Sequence, residues 1–304
     1  MTAGSDERVT YFQAIVIGIL QGITELFPIS SLGHSVLVPA WLGWDTLVNA
    51  QSADESFYLA FVVALHVGTA IALLAYFWSD WKRIIAAFFR TLRTRRLDTP
   101  DERMAWLLIV ATIPVGLTGL VLEHTLRTLF AKPLAAAVFL TINGAILLAG
   151  ERYRRRAELV ESIPEDTLVH SAGGEVGRRL DTLDFKEAGV IGAAQIGALF
   201  AGISRSGITM VAGLVRGLDH EDAARFSFLL ATPIIFAAGV YKIPDLIGPL
   251  GDGVRGQALV GALAAGVAAY ASVRFLVRFF ETRTLLPFGI YCLVAGGLSI
   301  IRFI

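Results

Sequence analysis

Long apolar runs, polar breaks inside two of them, and an internal duplication point to one architecture. The chain reads as an all-α, polytopic membrane protein of two inverted-topology repeats, with about six transmembrane helices and two interrupted apolar blocks. Of its 304 residues, 55% are hydrophobic and 17% charged, and mean hydropathy is +0.65. Several runs reach the ~20 residues that cross a bilayer core. The 26 basic and 26 acidic residues balance, so no global field invites a nucleic-acid partner. Cys292 is the single cysteine, which excludes an internal disulfide and a thiolate metal cluster. Asp6 and Glu7 stand where a signal peptide carries basic residues, so a cleaved leader is not expected.

The first apolar block covers about 9–43 and is interrupted at Pro28 to Gly33. Before the break, Gln21 and Glu25 lie four residues apart and share one helix face. Pro28 ends that helix, and Ser30, Ser31, Gly33 and His34 precede a second apolar run from Ser35 to Leu42. Candidate spans follow at 56–78, 103–123 and 133–150, then 225–247, 256–279 and 285–303. Between the third and fourth lies a second interrupted block, 186–217, broken at AGISRSGIT, residues 201–209. Irregular backbone is not tolerated against lipid, so each break must be buried or line a cavity.

The two blocks are copies. A shift of 174 residues gives identities at Ala14/Ala188, Val16/Val190, Ile17/Ile191, Gly18/Gly192, Gln21/Gln195, Ile29/Ile203, Ser30/Ser204 and Gly33/Gly207. A shift of 171 next matches Ser56/Ser227, Phe57/Phe228, Leu59/Leu230, Ala60/Ala231 and Gly68/Gly239. Repeat one therefore spans about 9–123 with interrupted block 9–43, and repeat two about 186–279 with interrupted block 186–217. The spans 133–150 and 285–303 complete a single membrane domain. Broken helices at equivalent places in two halves point to a central site.

Loop charge gives the orientation. Lys82, Arg83, Arg90, Arg93, Arg95, Arg96 and Arg103 crowd the loop 79–103, and six arginines the loop 151–184. Arg278 and Arg283 flank the short loop near 280. The segment 43–55 has no basic residue, and 124–132 has only Arg127 and Lys132. The positive-inside rule puts the first three loops in the cytoplasm and the other two outside. Three spans separate the first repeat's start from the second's, so the repeats are inverted whether each broken block dips in and returns or crosses twice, and both termini lie outside.

At the second break, Arg205 stands between Ser204 and Ser206 with Gly202 and Gly207 close by. A half-helix beginning near Ser206 would add the partial positive charge of its N-terminus, a recipe for holding phosphate. The first break offers the complement: Glu25 to orient water, hold a metal or act as base, Ser31 as nucleophile, His34 to move a proton. If the two breaks meet, the sum describes phosphoryl transfer. No acid lies near Arg205 in sequence, so an anion is its expected partner.

These residues resemble the integral-membrane undecaprenyl-diphosphate phosphatases of the bacitracin-resistance type, over essentially the whole chain. The first family motif reads here Gln21-Gly22-Ile23-Thr24-Glu25-Leu26-Phe27-Pro28-Ile29-Ser30-Ser31-Leu32-Gly33-His34. The second reads Ala201-Gly202-Ile203-Ser204-Arg205-Ser206-Gly207-Ile208-Thr209, and the stretch Phe226 to Pro233 also looks like the family. The resemblance implies hydrolysis of undecaprenyl diphosphate to the monophosphate carrier for wall synthesis, a site open to the outer face of the plasma membrane, a divalent cation, Mg or Ca, and two re-entrant helical hairpins, 9–43 and 186–217, within the inverted repeats. By matching position it implies that Glu25, Ser31, His34 and Arg205 are catalytic, with Glu25 also the metal ligand. Gln21, Ser30, Ser204, Ser206 and Thr209 would bind substrate. Partners would be the polyprenyl diphosphate and membrane lipids, with a homodimer allowed. Departures from the pattern are Gln21 for a glutamate, Ala201 for a proline and Leu32 for a threonine.

Plainer readings stand beside these. Gln21 can bond across a helix interface, and Ser30 and Ser204 can cap half-helices. His66, in ALHVGT within a span, reads as structural, with the site as its alternative. His124, His170 and His220 fall at span ends or in loops. The arginine runs set topology first and touch anionic lipid second. A transporter is the other functional class for inverted repeats with broken helices, but moving a lipid phosphate needs Arg205 without Glu25, Ser31 and His34 together.

Overall fold

The computed structural model describes residues 9–50, 57–130, 132–161 and 178–304. His170, Ser56, Asp6 and Glu7 lie outside the described residues. Twelve α-helices account for nearly all of the described chain: α1 Tyr11–Thr24, α2 Ser31–Leu42, α3 Asp45–Ala50, α4 Phe57–Tyr76, α5 Trp78–Thr94 and α6 Pro100–Phe130. They continue as α7 Pro133–Glu161, α8 Phe185–Ala194, α9 Arg205–Val215, α10 His220–Ile247, α11 Arg255–Phe280 and α12 Leu286–Phe303. Among the described residues there is no strand, only an isolated bridge between Arg178 and Leu218.

Among the described residues, five segments are long and apolar enough to cross a membrane: Pro100–Leu122, Pro133–Arg156, His220–Gly239, Arg255–Phe280 and Leu286–Phe303. Ala60–Tyr76 passes the same test together with Trp78–Thr94, the pair bent by 85° at its break. Both predicted breaks are there. The first falls between α1 and α2, the second between α8 and α9.

Two boundaries depart from expectation. The basic stretch 79–103 is no simple loop, because Trp78–Thr94 folds into a helix of 17 residues. Its apolar residues recur at helical spacing, which a search for uninterrupted apolar runs overlooks. The helices α6 and α7 also run past the apolar segments that announced them, to Phe130 and Glu161. The tail of α7 is rich in Glu, Arg and Ala, all good helix formers in water.

Small residues let the helices approach closely, as packing inside a membrane requires. On α1, a Cβ added at Gly18 would lie 2.4 Å from the Gly261 carbonyl oxygen of α11. Its repeat mate Gly192 on α8 is placed alike, 2.3 Å from the Ala111 oxygen of α6. Gln195, the mate of Gln21, donates its amide to that same Ala111 oxygen at 3.1 Å. Each hairpin's first arm thus lies against a long helix through the same small residue. Meanwhile α7 packs along α12, where Gly144 faces Gly289 and Cys292, and Gly296 faces Thr141.

Replacing Gly192 by valine should force α8 off α6, because the contact is backbone and has no rotamer with which to yield. Overpacking of this kind costs about 1–3 kcal/mol. Gly116→Ala, where nothing lies within 4 Å, should leave stability unchanged or slightly raised. Thermal unfolding of both variants in detergent checks this, and equal midpoints would remove the close-approach argument.

Candidate active site

Both breaks sit at the start of a half-helix, and both are capped in the same way. Ser30 Oγ accepts from Gly33 N at 3.1 Å at the head of α2, and Ser204 Oγ accepts from Gly207 N at 3.1 Å at the head of α9. These are matched positions of the duplication, and each supplies the N-cap bond that a free helix end demands. Ser31 and Arg205, the next residues, are likewise equivalent and each is the first residue of its helix.

The hairpins touch at their tips. Gly202 N donates to Ser30 Oγ at 3.2 Å, and Ser206 Oγ donates to the Phe27 carbonyl at 3.2 Å. Gly202 has φ +117° and lies against the Ala136 carbonyl of α7, where a Cβ would come within 2.5 Å. Ser30 holds φ +71°, a left-handed conformation costly for a serine. It is kept there by its two accepted bonds and by His34, whose Nδ1–H donates to the Ser30 carbonyl at 2.7 Å.

One residue that drew no attention in the sequence joins the two breaks. Asn143, fully buried on α7, donates Nδ2–H to the Pro28 carbonyl at 3.0 Å and accepts from Ser204 N at 2.9 Å through Oδ1. It therefore satisfies one exposed backbone group in each hairpin. A lone Asn inside a long apolar helix was the available signal, since such a residue is costly unless it has partners.

Around Glu25 the charges converge. The carboxylate is 7% exposed, and Arg205 donates to its Oε1 at 2.8 Å. Its Oε2 accepts from Ser31 Oγ at 2.5 Å and from Gln21 Nε2 at 3.1 Å. The acid that sequence proximity failed to give Arg205 is thus Glu25, 180 residues away in the other hairpin. This ion pair is the resting partner of the guanidinium. Arg205 also donates to the Ser227 carbonyl at 3.4 Å.

The two histidines are placed unequally. His34 turns from Glu25: with Nδ1 committed to Ser30, its Nε2 meets the Tyr291 hydroxyl of α12 at 2.8 Å. His66 of α4 faces the site instead, with Nδ1–H on the Val62 carbonyl at 2.8 Å and Nε2 3.4 Å from Glu25 Oε2. Ser204 and Ser206 hydroxyls lie 3.0 Å apart, and Thr209 bonds back to the Arg205 carbonyl at 2.6 Å. Gln21, Glu25, Ser31 and Arg205 form one hydrogen-bonded group, Ser30 and Ser204 are caps beneath it, and Thr209 serves its own helix.

Chemically, the group holds a hydroxyl donating to a carboxylate, and a guanidinium that an anion can draw away. Two half-helix N-termini begin at that hydroxyl and that guanidinium, a polarity suited to phosphate.

The family described as "Bacitracin resistance protein BacA" matches residues 14–298. "Undecaprenyl-diphosphatase 2" of Frankia alni is 59% identical, over 97% of this chain and 98% of its own length. An "Undecaprenyl-diphosphatase" of Mycolicibacterium paratuberculosis is also 59% identical, over 97% of each chain. A further one from Granulibacter bethesdensis is 43% identical, over 95% of this chain and 96% of its own.

Asn143→Leu should strand the Pro28 carbonyl and the Ser204 N–H, at about 1–3 kcal/mol for each buried group left unpaired. Asn143→Asp keeps an acceptor for Ser204 N but sets a buried carboxyl against the Pro28 carbonyl, and should also lose stability. Unfolding midpoints in detergent, read with turnover, measure the effect. Leucine and aspartate variants as stable as the parent would show that Asn143 does not hold the hairpins.

Proposed function

The chain belongs to the bacitracin resistance protein BacA family, and from that premise we propose that it is an undecaprenyl-diphosphate phosphatase, releasing inorganic phosphate and leaving undecaprenyl phosphate. The observation that carries this reading is Ser31 Oγ on Glu25 Oε2 at 2.5 Å while Arg205 holds Oε1 at 2.8 Å. In the resting site Arg205 neutralises Glu25. A diphosphate carries more charge than a carboxylate and offers oxygens to both arms of the guanidinium fork, so it competes for Arg205. The N-termini of α2 and α9 add their partial charge to that attraction.

Losing Arg205 to the substrate makes Glu25 a base already bonded to its nucleophile. Ser31 Oγ attacks the terminal phosphorus while its proton passes to Glu25 Oε2. The bond from that phosphorus to the bridging oxygen breaks, and its electrons leave on the lipid monophosphate. Water then attacks the phosphoseryl phosphorus, Glu25 returns the proton to Ser31 Oγ as that bond breaks, and phosphate departs with the two protons of the water. Arg205 meets charge that grows on the phosphoryl oxygens, the term that dominates such catalysis. His34 acts by fixing the turn that presents Ser31, through the Ser30 carbonyl.

A divalent cation belongs to the reading as a companion of the diphosphate. Both oxygens of Glu25 are engaged, and no group of three His, Cys, Asp or Glu that could hold a metal occurs among the described residues. The residues therefore make no closed cage. Glu25 would be the one protein group to hold such an ion, Mg or Ca, which would then depend on the diphosphate and water for the rest. Its chemistry would be neutralisation of phosphate charge.

The site opens to the outer face in this reading, and the repeats are inverted. Supporting it are the loop-charge asymmetry and the matched roles of Gly18 with Gly192 and of Ser30 with Ser204. Cysteines at Thr46 and at Thr94, both exposed, test the topology in a Cys292→Ser background. An impermeant thiol reagent should label position 46 and spare position 94 in intact cells, and the opposite pattern would reverse the orientation.

Single-turnover phosphate release from purified protein and a polyprenyl diphosphate tests the chemistry. Glu25→Gln and Ser31→Ala should release almost nothing while still binding lipid. Arg205→Ala should weaken binding and slow release about 10²–10³-fold, equivalent to roughly 3–4 kcal/mol. Arg205→Lys should recover only part, since a point charge cannot replace the fork. Release by Ser31→Ala within about tenfold of the parent, roughly 1.4 kcal/mol, would make water the nucleophile and end the seryl step.

A further inference from the structure

Helix α5 has three distinct faces. Ile84, Ala87 and Thr91 are buried, and Trp106 of α6 donates its indole N–H to Thr91 Oγ1 at 3.0 Å, tying the helix to the body of the protein. A second stripe, Trp78, Ile85, Phe89 and Leu92, is apolar yet exposed, Phe89 by 63%. Basic residues, Lys82, Arg83, Arg90 and Arg93, occupy the third. Spacings of three, four and seven keep the apolar stripe in line along the helix.

The cations divide into committed and free. Arg83 donates to Asp80 at 2.5 Å, with Asp101 at 3.5 Å, and Arg90 lies 3.8 Å from the buried Glu102. Lys82, Arg93 and, just past the helix, Arg95 and Arg96 form no ion pair among the described residues. All four are exposed. Lys82 lines a cleft of about 590 Å³ between α5 and the start of α6, together with Arg83, Arg90 and Asp101. The 85° bend sets α5 across the end of α4. With α4 crossing the bilayer, α5 lies nearly in the plane of its surface.

We propose that α5 is an in-plane docking surface for anionic phospholipid, with acyl chains against the Trp78–Leu92 stripe and phosphates on the free cations. An exposed apolar stripe alone would fit any lipid. The adjoining row of uncompensated cations selects negative headgroups, because basic residues close to an anionic leaflet gain from its surface potential. Loop charge places this surface on the cytoplasmic leaflet. The proposal does not depend on the reaction at Glu25, since none of these residues touches that group.

The test uses the full chain in nanodiscs of phosphatidylcholine containing phosphatidylglycerol, with lipids counted by native mass spectrometry after extraction. The parent should retain phosphatidylglycerol over phosphatidylcholine at least about threefold above the bulk ratio. The combined variant Lys82→Gln, Arg93→Gln, Arg95→Gln, Arg96→Gln should fall near the bulk ratio. Arg93→Lys with Arg95→Lys and Arg96→Lys keeps the charge and should keep the enrichment, which separates loss of charge from loss of fold. Arg278→Gln with Arg283→Gln removes basic charge from another loop on the same side and should change nothing. Enrichment that survives the glutamine variant, or that the Arg278 and Arg283 control abolishes equally, overturns the proposal. Displacement of the retained lipid by inorganic phosphate at constant ionic strength would assign the site to free phosphate instead, and overturn it as well.

Discussion

Backbone amides and carbonyls at membrane depth have no water to turn to, and every irregular turn there must be given partners by the protein. Two such turns meet in this molecule. The Pro28 and Phe27 carbonyls of one are met by Asn143 and Ser206, while the Gly202 and Ser204 amides of the other are met by Ser30 and Asn143. Each hairpin thus supplies what the other lacks, with α7 as the third party. Neither break is a stable object alone, so the central site exists only when the two halves have docked.

The same constraint governs charge. A carboxylate and a guanidinium removed from water are costly, and their attraction repays that cost only with good geometry and further hydrogen bonds. Glu25 has both: Arg205 on one oxygen, Ser31 and Gln21 on the other. Placing the partners on different hairpins makes the ion pair a clasp between them. It is also a clasp that an anion can open, since any phosphate that takes Arg205 leaves the carboxylate beside an activated hydroxyl. Under the proposed mechanism, stability in the resting state and reactivity in the occupied one draw on the same contact.

The duplication keeps the scaffold and varies the chemistry. Ser30 and Ser204 cap identically, and Gly18 and Gly192 make the same close approach to a long helix. Yet the first residue after each cap is Ser31 in one half and Arg205 in the other, and the position of Glu25 is taken by Leu199 in the second. One hairpin therefore carries the carboxylate and hydroxyl, the other the cation. A duplicated frame brings two unlike first residues to the tips of paired half-helices, which is what the proposed joining of a nucleophile to a phosphate binder requires.

Features set by near neighbours in the chain were legible from the sequence. The apolar runs determined the long helices because a span must bury about 20 residues. Pro28 and the AGISRSGIT stretch determined the breaks, and Ser30 and Ser204 the caps, because an N-cap bond reaches only three residues along. Gln21, Glu25, Ser31 and Arg205 announced themselves as polar groups in membrane-grade sequence. Contacts across the fold were not legible. Nothing near Arg205 named Glu25 as its partner, and His34 read as the site histidine although His66, on another helix, stands 3.4 Å from the carboxylate. Asn143 reads as one more buried amide until the hairpins close on it. Helix α5 hid in a basic loop because its apolar period is three to four residues. Spacing along the chain fixes what a segment can form, whereas which side chains face one another is decided by how the segments dock.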